Sequence, residues 1–282
     1  SAFNRSEFDI TDLVEREKSN VLAVRVYRRF KGWQFDTHDA WGISGIYRDV
    51  SLFAVGDMHI QDLTVITELK RDLSGASVQC KVTVARSSTM ASDFTVSSTL
   101  IEPGGCIVGR SKSTGNMRDK NKGVICVTLG VDNPLLWNAE TPNLYDLQLD
   151  LRRGSDILHS VTRKIGIRQV NIDGDVFKLN FRPIKLRGVN HHDIHPDVGR
   201  ALREEHYRED IELMKKANIN AVRTSHYPPH PVFLDLCDRY GMYVICEVPF
   251  GFGDKNLKDQ SYGDILLMRA EATVARDRII SR

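Results

Sequence analysis

The sequence predicts a multidomain chain that is β-rich over its first 167 or so residues and α/β beyond them. Three observations carry this. From about His59 to Ile167 apolar and polar residues alternate with the period of two that marks half-buried strands, and turn clusters at Asp72-Leu73-Ser74-Gly75 and Pro103-Gly104-Gly105 separate the runs. After Gly166-Ile167-Arg168-Gln169-Val170 the pattern changes: short apolar runs near Leu186, Val222 and Val244 are separated by helical spacings, which makes βα units and a parallel sheet. A chain of 282 residues is also long enough for two or three domains.

Residues 1 to about 57 read as strands without a helix of useful length. Phe8-Asp9-Ile10-Thr11-Asp12-Leu13 leads through the turn Glu17-Lys18-Ser19-Asn20 into Val21-Leu22-Ala23-Val24-Arg25-Val26-Tyr27, which has strand composition. In the next region Val78, Cys80, Val82 and Val84 share one face and Val124, Cys126 and Thr128 share another; several short strands at this spacing predict an immunoglobulin-like sandwich. Lys112 to Lys122 is polar and reads as a mobile loop. Val170–Asp173 and Val176–Asn180 form a hairpin-like pair, followed by a strand from Ile184 to Asn190 that ends in His191-His192-Asp193-Ile194-His195. A helix then carries Tyr207, Ile211, Met214 and Ala217 on one face and Glu209, Glu212, Lys215 and Lys216 on the other.

The most informative stretch is Asn220 to Ile245. Ala221-Val222 is a short strand, Arg223-Thr224-Ser225-His226 a polar corner, and Val232, Phe233, Leu236, Cys237 and Tyr240 recur with helical spacing. Gly241 supplies the left-handed residue that ends such a helix, and Met242 to Ile245 reads as a strand buried on both faces. A last helix is predicted from Asp264 to Ile280. Arg223, Ser225 and His226 thereby fall just past the carboxyl end of a strand, where parallel-sheet folds place ligands.

Composition excludes several classes. The hydrophobic and charged fractions are those of an ordinary globular protein, the formal net charge is +2, and basic residues are dispersed, which argues against a nucleic-acid partner. No apolar run approaches the roughly 18 residues that span a membrane. The five cysteines (Cys80, Cys106, Cys126, Cys237, Cys246) are odd in number and never spaced Cys-x-x-Cys, so buried thiols in a reducing, cytoplasmic setting are expected. No Gly-x-Gly-x-x-Gly follows any strand, so a doubly wound dinucleotide fold would have no phosphate cradle.

The run Arg223-Thr224-Ser225-His226-Tyr227-Pro228 within Asn220–Ile245 resembles the signature of family 2 glycoside hydrolases, which include β-galactosidases, β-glucuronidases and β-mannosidases. Trp41-Gly42-Ile43-Ser44-Gly45-Ile46-Tyr47-Arg48-Asp49-Val50 and Pro134-Leu135-Leu136-Trp137...Thr141-Pro142-Asn143-Leu144-Tyr145 resemble the same family. The resemblance implies part of a jelly roll over residues 1–57, an immunoglobulin-like β-sandwich over 58–167, and the N-terminal part of a (β/α)8 TIM barrel over 168–282. A barrel takes about 250 residues, so roughly three of eight units are expected.

Retaining glycosidases use two carboxyl groups about 5 Å apart. In the family these are glutamates of later barrel strands, and neither motif occurs before Arg282, so no catalytic acid or nucleophile is assigned and the chain alone is expected to be inactive. The resemblance assigns substrate contacts to Asp39, His192, Arg223 and His226, and a place on the pocket floor to Glu247. Asp39 precedes the Ala40-Trp41 pair, where the family's aspartate reaches into the pocket; otherwise it is a solvated loop carboxylate. Neutral imidazoles at His192 and His226 offer one donor and one acceptor to sugar hydroxyls. Arg223 would either keep a nucleophilic carboxylate ionised or hold an ion pair at the barrel mouth. Trp33 and Trp41 read as packing residues rather than sugar platforms.

A metal cluster of His191, His192, Asp193 and His195 is the competing reading of that segment, weakened because adjacent residues on a strand end diverge. The family's magnesium-dependent members carry metal ligands after the glutamate; here Val248-Pro249-Phe250-Gly251 offers none and Cys246 replaces the usual aspartate, so no metal and no cofactor is expected. The expected partner is a carbohydrate, a β-galactoside first, with β-glucuronides or a non-catalytic sugar-binding scaffold as alternatives. Unpaired barrel strands further predict assembly with other copies of the chain.

Overall fold

The computed structural model describes residues 3–15, 17–36, 45–87, 92–117, 121–251 and 258–278. Seven long strands come first: β1 (Met58–Leu69), β2 (Gly75–Arg86), β3 (Ser92–Ile101), β4 (Ile107–Met117), β5 (Lys122–Asp132), β6 (Tyr145–Arg153) and β7 (Asp156–Ile165). They form two antiparallel sheets, β1-β2-β5 and β4-β3-β6-β7. Alternation decides the facing. Val78, Cys80, Val82 and Val84 of β2 are buried against Val96, Leu100, Leu147 and Leu149 of the other sheet. On β5 the inward set is Ile125, Val127, Leu129 and Val131, which leaves Val124, Cys126 and Thr128 exposed on the opposite face. Each such buried aliphatic contributes roughly 1.5–3 kcal/mol relative to exposure, which makes this sandwich the main core of the chain.

Lys112–Met117 belongs to β4 rather than to a loop. Its polar residues alternate across a strand that, among the described residues, pairs only with β3, so the ladder forms with little apolar content to announce it.

The corner after β5 joins the sandwich to the C-terminal half of the chain. The Tyr145 hydroxyl accepts from the Leu135 N–H at 2.7 Å, and the backbone N–H of the fully buried Trp137 donates to the Ile167 carbonyl at 2.9 Å. Beyond Ile167 stands a small antiparallel sheet made of β8 (Val170–Asp173), β9 (Val176–Leu179) and β10 (Arg182–Pro183), with Gly174 at φ 62° in the β8–β9 turn.

The βα units are β11 (Gly188–His191), α1 (Glu204–Lys216), β12 (Ala221–Thr224), α2 (Pro231–Tyr240), β13 (Tyr243–Cys246) and α3 (Gly263–Asp277). The three strands form a parallel sheet in sequence order, with Asn190, Arg223 and Ile245 in one row and Val189, Val222 and Val244 in the next. Tyr207, Ile211 and Met214 of α1 and Phe233, Leu234 and Cys237 of α2 pack on Val222 and Met242. His230 caps α2, accepting from the Val232 N–H at 3.2 Å, and Pro231 occupies the first turn; Gly241, at φ 71°, ends the helix. The last helix stops at Asp277.

β13 is less buried than a strand covered on both faces. Ile245 is 51% exposed because it shares the row of Asn190 and Arg223 and turns away from the helices. Among the described residues β13 pairs only with β12.

The larger departure lies before residue 57. Phe8–Leu13 and Val21–Tyr27 join no strand ladder among the described residues; the regular pieces described there are 3-10 turns at Thr11–Leu13 and Trp33–Phe35, and Phe8, Val21 and Leu22 are exposed. Strand propensity is realised only where a neighbour takes the backbone hydrogen bonds, and no such neighbour is described for these residues.

This segment nonetheless docks at two places. Arg269 of α3, 2% exposed, donates to both Asp36 carboxylate oxygens (2.8 and 3.4 Å) and to the carbonyls of Gly32 and Pro249, while Asp36 forms a parallel bridge with Gly251. At the other place Phe3 stacks on Tyr227 with ring centroids 4.0 Å apart. No helix among the described residues is long and apolar enough to cross a membrane.

Candidate functional site

The carboxyl ends of β11, β12 and β13 deliver a polar cluster to one rim of the parallel sheet. Because Asn190 and Arg223 are register partners on adjacent strands, their side chains share the face away from α1 and α2. The Arg223 guanidinium donates Nε–H to Glu247 Oε1 at 2.5 Å, and Nη1–H to Asn190 Oδ1 at 3.1 Å and to Ser225 Oγ at 3.3 Å. Glu247 follows β13 directly, and its backbone N–H donates to Thr224 Oγ1 at 3.1 Å.

His226 closes the cluster. Its Nδ1 lies 3.0 Å from Glu247 Oε2 and 3.3 Å from Arg223 Nη2. A guanidinium only donates and a carboxylate only accepts, so the shorter contact assigns the Nδ1 proton to a bond with Glu247 and leaves Nε2 as an acceptor in the neutral ring. Glu247 is thus held from two sides by Arg223 and His226. The three side chains keep 36%, 23% and 22% exposure for Arg223, Glu247 and His226, which leaves them open to a ligand while fixing them through one another. The Ser225–His226 peptide bond is cis.

The His192 ring stands 5.8 Å from the His226 ring, edge to face. Its Nδ1 is 3.4 Å from the Tyr227 hydroxyl, which also accepts the Asp193 backbone N–H at 3.1 Å. Burial, reinforced by the Asp193 carboxylate, pushes the Tyr227 phenol up to about 12, so it remains protonated at neutral pH. Asp193 is itself buried, accepting from Arg48 Nη2 at 3.0 Å and from the His230 N–H at 3.2 Å. Arg48 reaches this point from the N-terminal segment and also donates to the carbonyls of Pro228 and Phe3. Burial, and next the Arg48 charge, lowers the His230 pKa and keeps that imidazole neutral as a helix cap.

Four of the five residues singled out from sequence lie along this rim: His192, Arg223, His226 and Glu247. Of the two readings of Arg223, the ion pair at the sheet's rim is the contact made here, with Glu247 as partner. Asp39 and Trp41 lie outside the described residues. Trp33 is 42% exposed, with the Arg29 guanidinium 5.5 Å from its ring, so it is no buried packing residue.

Sequence reasoning did not single out Asn190, Tyr227 or Arg48 individually, and it weighed Asp193 only as a metal ligand. Asn190 was within reach, standing two positions before His192 on the strand that pairs with β12. Arg48 lies 145 positions from Asp193, and no local pattern joins them.

The alternative cluster does not gather. His191 stacks on Phe233 with centroids 4.5 Å apart and places Nε2 2.9 Å from Asp210, on the helix side of the sheet. His195 packs on His206 and its Nδ1 accepts the Asp197 N–H at 3.2 Å. Among the described residues no three His, Cys, Asp or Glu side chains converge as for a metal ion. The thiols also differ from expectation: Cys80 and Cys237 are buried and Cys246 half-buried, but Cys126 points outward from β5 and Cys106 sits in an exposed turn, and none of the five is in a disulfide.

Comparison with known proteins matches this architecture segment by segment. Residues 1–56 match the model of the sugar binding domain of glycosyl hydrolases family 2, residues 58–168 the family's following domain, and residues 170–263 its TIM barrel domain. A β-galactosidase of Leuconostoc mesenteroides is 36% identical over 281 residues, covering 96% of this chain and 27% of that protein. One from Enterobacter cloacae is 38% identical over 86% of this chain and 24% of its own length. The crystal structure of a Bacteroides uniformis β-glucuronidase superposes with a TM-score of 0.76 at 27% identity, over 86% of this chain and 30% of that one. The chain thus spans about a quarter of the length of the curated relatives it matches. Three consecutive domain matches in one order, on a fold that sets Arg223, His226 and Glu247 at the rim of a parallel sheet, identify the chain as belonging to glycosyl hydrolase family 2.

Proposed function

We propose that this chain is the part of a retaining β-glycosidase that binds a terminal β-linked sugar, a β-galactoside first, and that its domains divide near residues 57/58 and 167/168. The observation that carries the reading is the Arg223–Glu247–His226 cluster with His192 beside it. A neutral sugar ring offers hydroxyls that each donate and accept, and the cluster supplies the matching set: guanidinium and imidazole donors, carboxylate and imidazole acceptors. In this reading Asp39, His192, Arg223 and His226 contact the substrate and Glu247 forms the pocket floor. The β-galactosidases among the curated relatives support the choice of sugar. Five cysteines outside any disulfide support a reducing, cytoplasmic setting, and we infer assembly with other copies through β13, which among the described residues pairs only with β12.

Hydrolysis with retention takes two carboxyl groups about 5 Å apart. The cluster contains one carboxylate, Glu247, held by Arg223 and His226, and it brings no second carboxyl group opposite it to complete such a pair. The isolated chain is therefore expected to turn nothing over. A second reading, β-glucuronide hydrolysis, is favoured by the B. uniformis structure.

A chimera tests both. The chain replaces the matching residues of the L. mesenteroides β-galactosidase, and nitrophenyl β-galactoside and β-glucuronide are assayed in parallel. Galactoside turnover that falls at least tenfold with His226→Asn is the expected result. Turnover of glucuronide alone replaces the first reading with the second, and turnover of either by the isolated 282-residue chain sinks the division of labour proposed here.

A further inference from the structure

We propose that Asn190 is a positioning residue whose side-chain amide fixes the plane of the Arg223 guanidinium, and with it the direction from which Arg223 holds Glu247. The use of that ion pair in sugar recognition rests on the reading above; the positioning itself does not. Asn190 and Arg223 are register partners on β11 and β12, and neighbouring strands lie only about 4.8 Å apart, so a short amide comes within reach of the far end of the arginine. Asn190 Oδ1 accepts from Nη1 at 3.1 Å, and the Oγ of the buried Ser225 accepts from the same nitrogen at 3.3 Å. Nε–H donates to Glu247 Oε1 at 2.5 Å. A guanidinium is one rigid plane, so acceptors at Nη1 together with a carboxylate at Nε stop its rotation about the Cδ–Nε bond. The ion pair would not do this by itself, because Arg223 and Glu247 keep 36% and 23% exposure and a solvent-screened pair leaves a long side chain free to turn.

The residue type fits the task. A guanidinium has only donors, so the amide oxygen is the atom turned to Arg223 and the Nδ2 hydrogens point away from it. An amide also accepts without bringing a second negative charge beside Glu247. Glu247 is anchored in turn through its backbone N–H, which donates to Thr224 Oγ1 at 3.1 Å. Three adjacent strands thereby set the place of one carboxylate: β11 through Asn190, β12 through Arg223 and Thr224, and β13 through the chain that runs directly into Glu247.

The test is 15N–1H correlation spectroscopy of the 282-residue chain labelled at arginine, with the Arg223 Nε–H assigned by its loss in Arg223→Lys. In the wild type this proton is expected to exchange slowly with water. Asn190→Leu, which keeps a branched side chain and removes the acceptor, should speed that exchange about tenfold or more. Asn190→Asp, which keeps an acceptor in place, should retain most of the protection. Unchanged exchange in Asn190→Leu overturns the proposal, and so does an Asn190→Asp variant that exchanges as fast as the leucine one, since packing rather than hydrogen bonding would then be at work. A larger rise in Ser225→Ala than in Asn190→Leu overturns it too, by moving the role to Ser225. Asn190→Ala repeats the measurement should the leucine disturb cooperative melting, and loss of cooperative melting in both would make position 190 a requirement for folding and sink the proposal. A parallel galactose titration reads out the sugar assignment separately, because failure there leaves the exchange result standing.

Discussion

Trp137, at the corner leaving the sandwich, donates its indole N–H to the backbone carbonyl of Asp238 in α2 across 2.9 Å, and both residues are buried. That carbonyl is one of the last four of its helix, the acceptors that a helix end turns toward outside donors. The sandwich thus caps a barrel helix. Trp137→Phe keeps most of the apolar volume but removes that donor, and is expected to cost about 1–3 kcal/mol, read as a lower urea midpoint with an unchanged slope.

The same junction constrains Gly241. A Cβ built there would lie 2.5 Å from the Ala139 carbonyl oxygen, and the residue sits at φ 71°. Lys215 donates to both carbonyls, Ala139 at 3.0 Å and Gly241 at 3.3 Å, so neither backbone is free to retreat. Gly241→Ala should destabilise by about 1–3 kcal/mol from crowding alone, with the left-handed backbone adding to it. Equilibrium denaturation of the purified variant measures this, and no change would show that the two backbones part easily.

Arg269 and Asp36 form a buried pair with exposures of 2% and 8%. Arg269→Met removes the guanidinium from the buried carboxylate and should cost about 3–5 kcal/mol, whereas the double variant Arg269→Met with Asp36→Leu should recover much of that loss. Limited proteolysis adds a local readout: the single variant should release the segment around Gly32–Asp36 to cleavage well before the sandwich is cut.

The thiols and phenols give a pH dependence. Burial raises the Cys80 thiol from 9.0 to about 12, and it raises the Tyr207 and Tyr227 phenols too. For an acid whose folded pKa lies above its unfolded one, the stabilisation is fully present below the unfolded value and is lost as pH climbs through the folded value. Melting temperature should therefore fall between about pH 9 and 12. At about pH 8, iodoacetamide should label the exposed Cys106 and Cys126 first and reach Cys80 and Cys237 only on unfolding, as peptide mass spectrometry would show.

What could be read from the sequence was whatever local periodicity encodes. The inward set Val78, Cys80, Val82 and Val84, the stripe of α1 and the glycine closing α2 all follow from spacing within one element. Spacing alone put Arg223 and His226 just past a strand end, whereas His192 and Glu247 were singled out with them only through the family resemblance. What escaped depends on partners far along the chain. Val21–Tyr27 has the composition of a strand but no described neighbour to pair with, and Lys112–Met117 is a strand because β3 lies beside it despite its polarity. Arg48 and Asp36 meet their partners across 145 and 233 positions, where no window of sequence joins them.

The Asp36–Arg269 clasp also dictates an order of events on the ribosome. At about 5–20 residues per second, the 233 positions between the two take roughly 10–50 s to synthesise. Throughout that interval the Phe250 and Tyr262 rings that flank the fully buried Phe35 have yet to be made. The Gly32–Asp36 turn can take its final packing only after α3 leaves the exit tunnel, even though the sandwich between them has by then had time to fold.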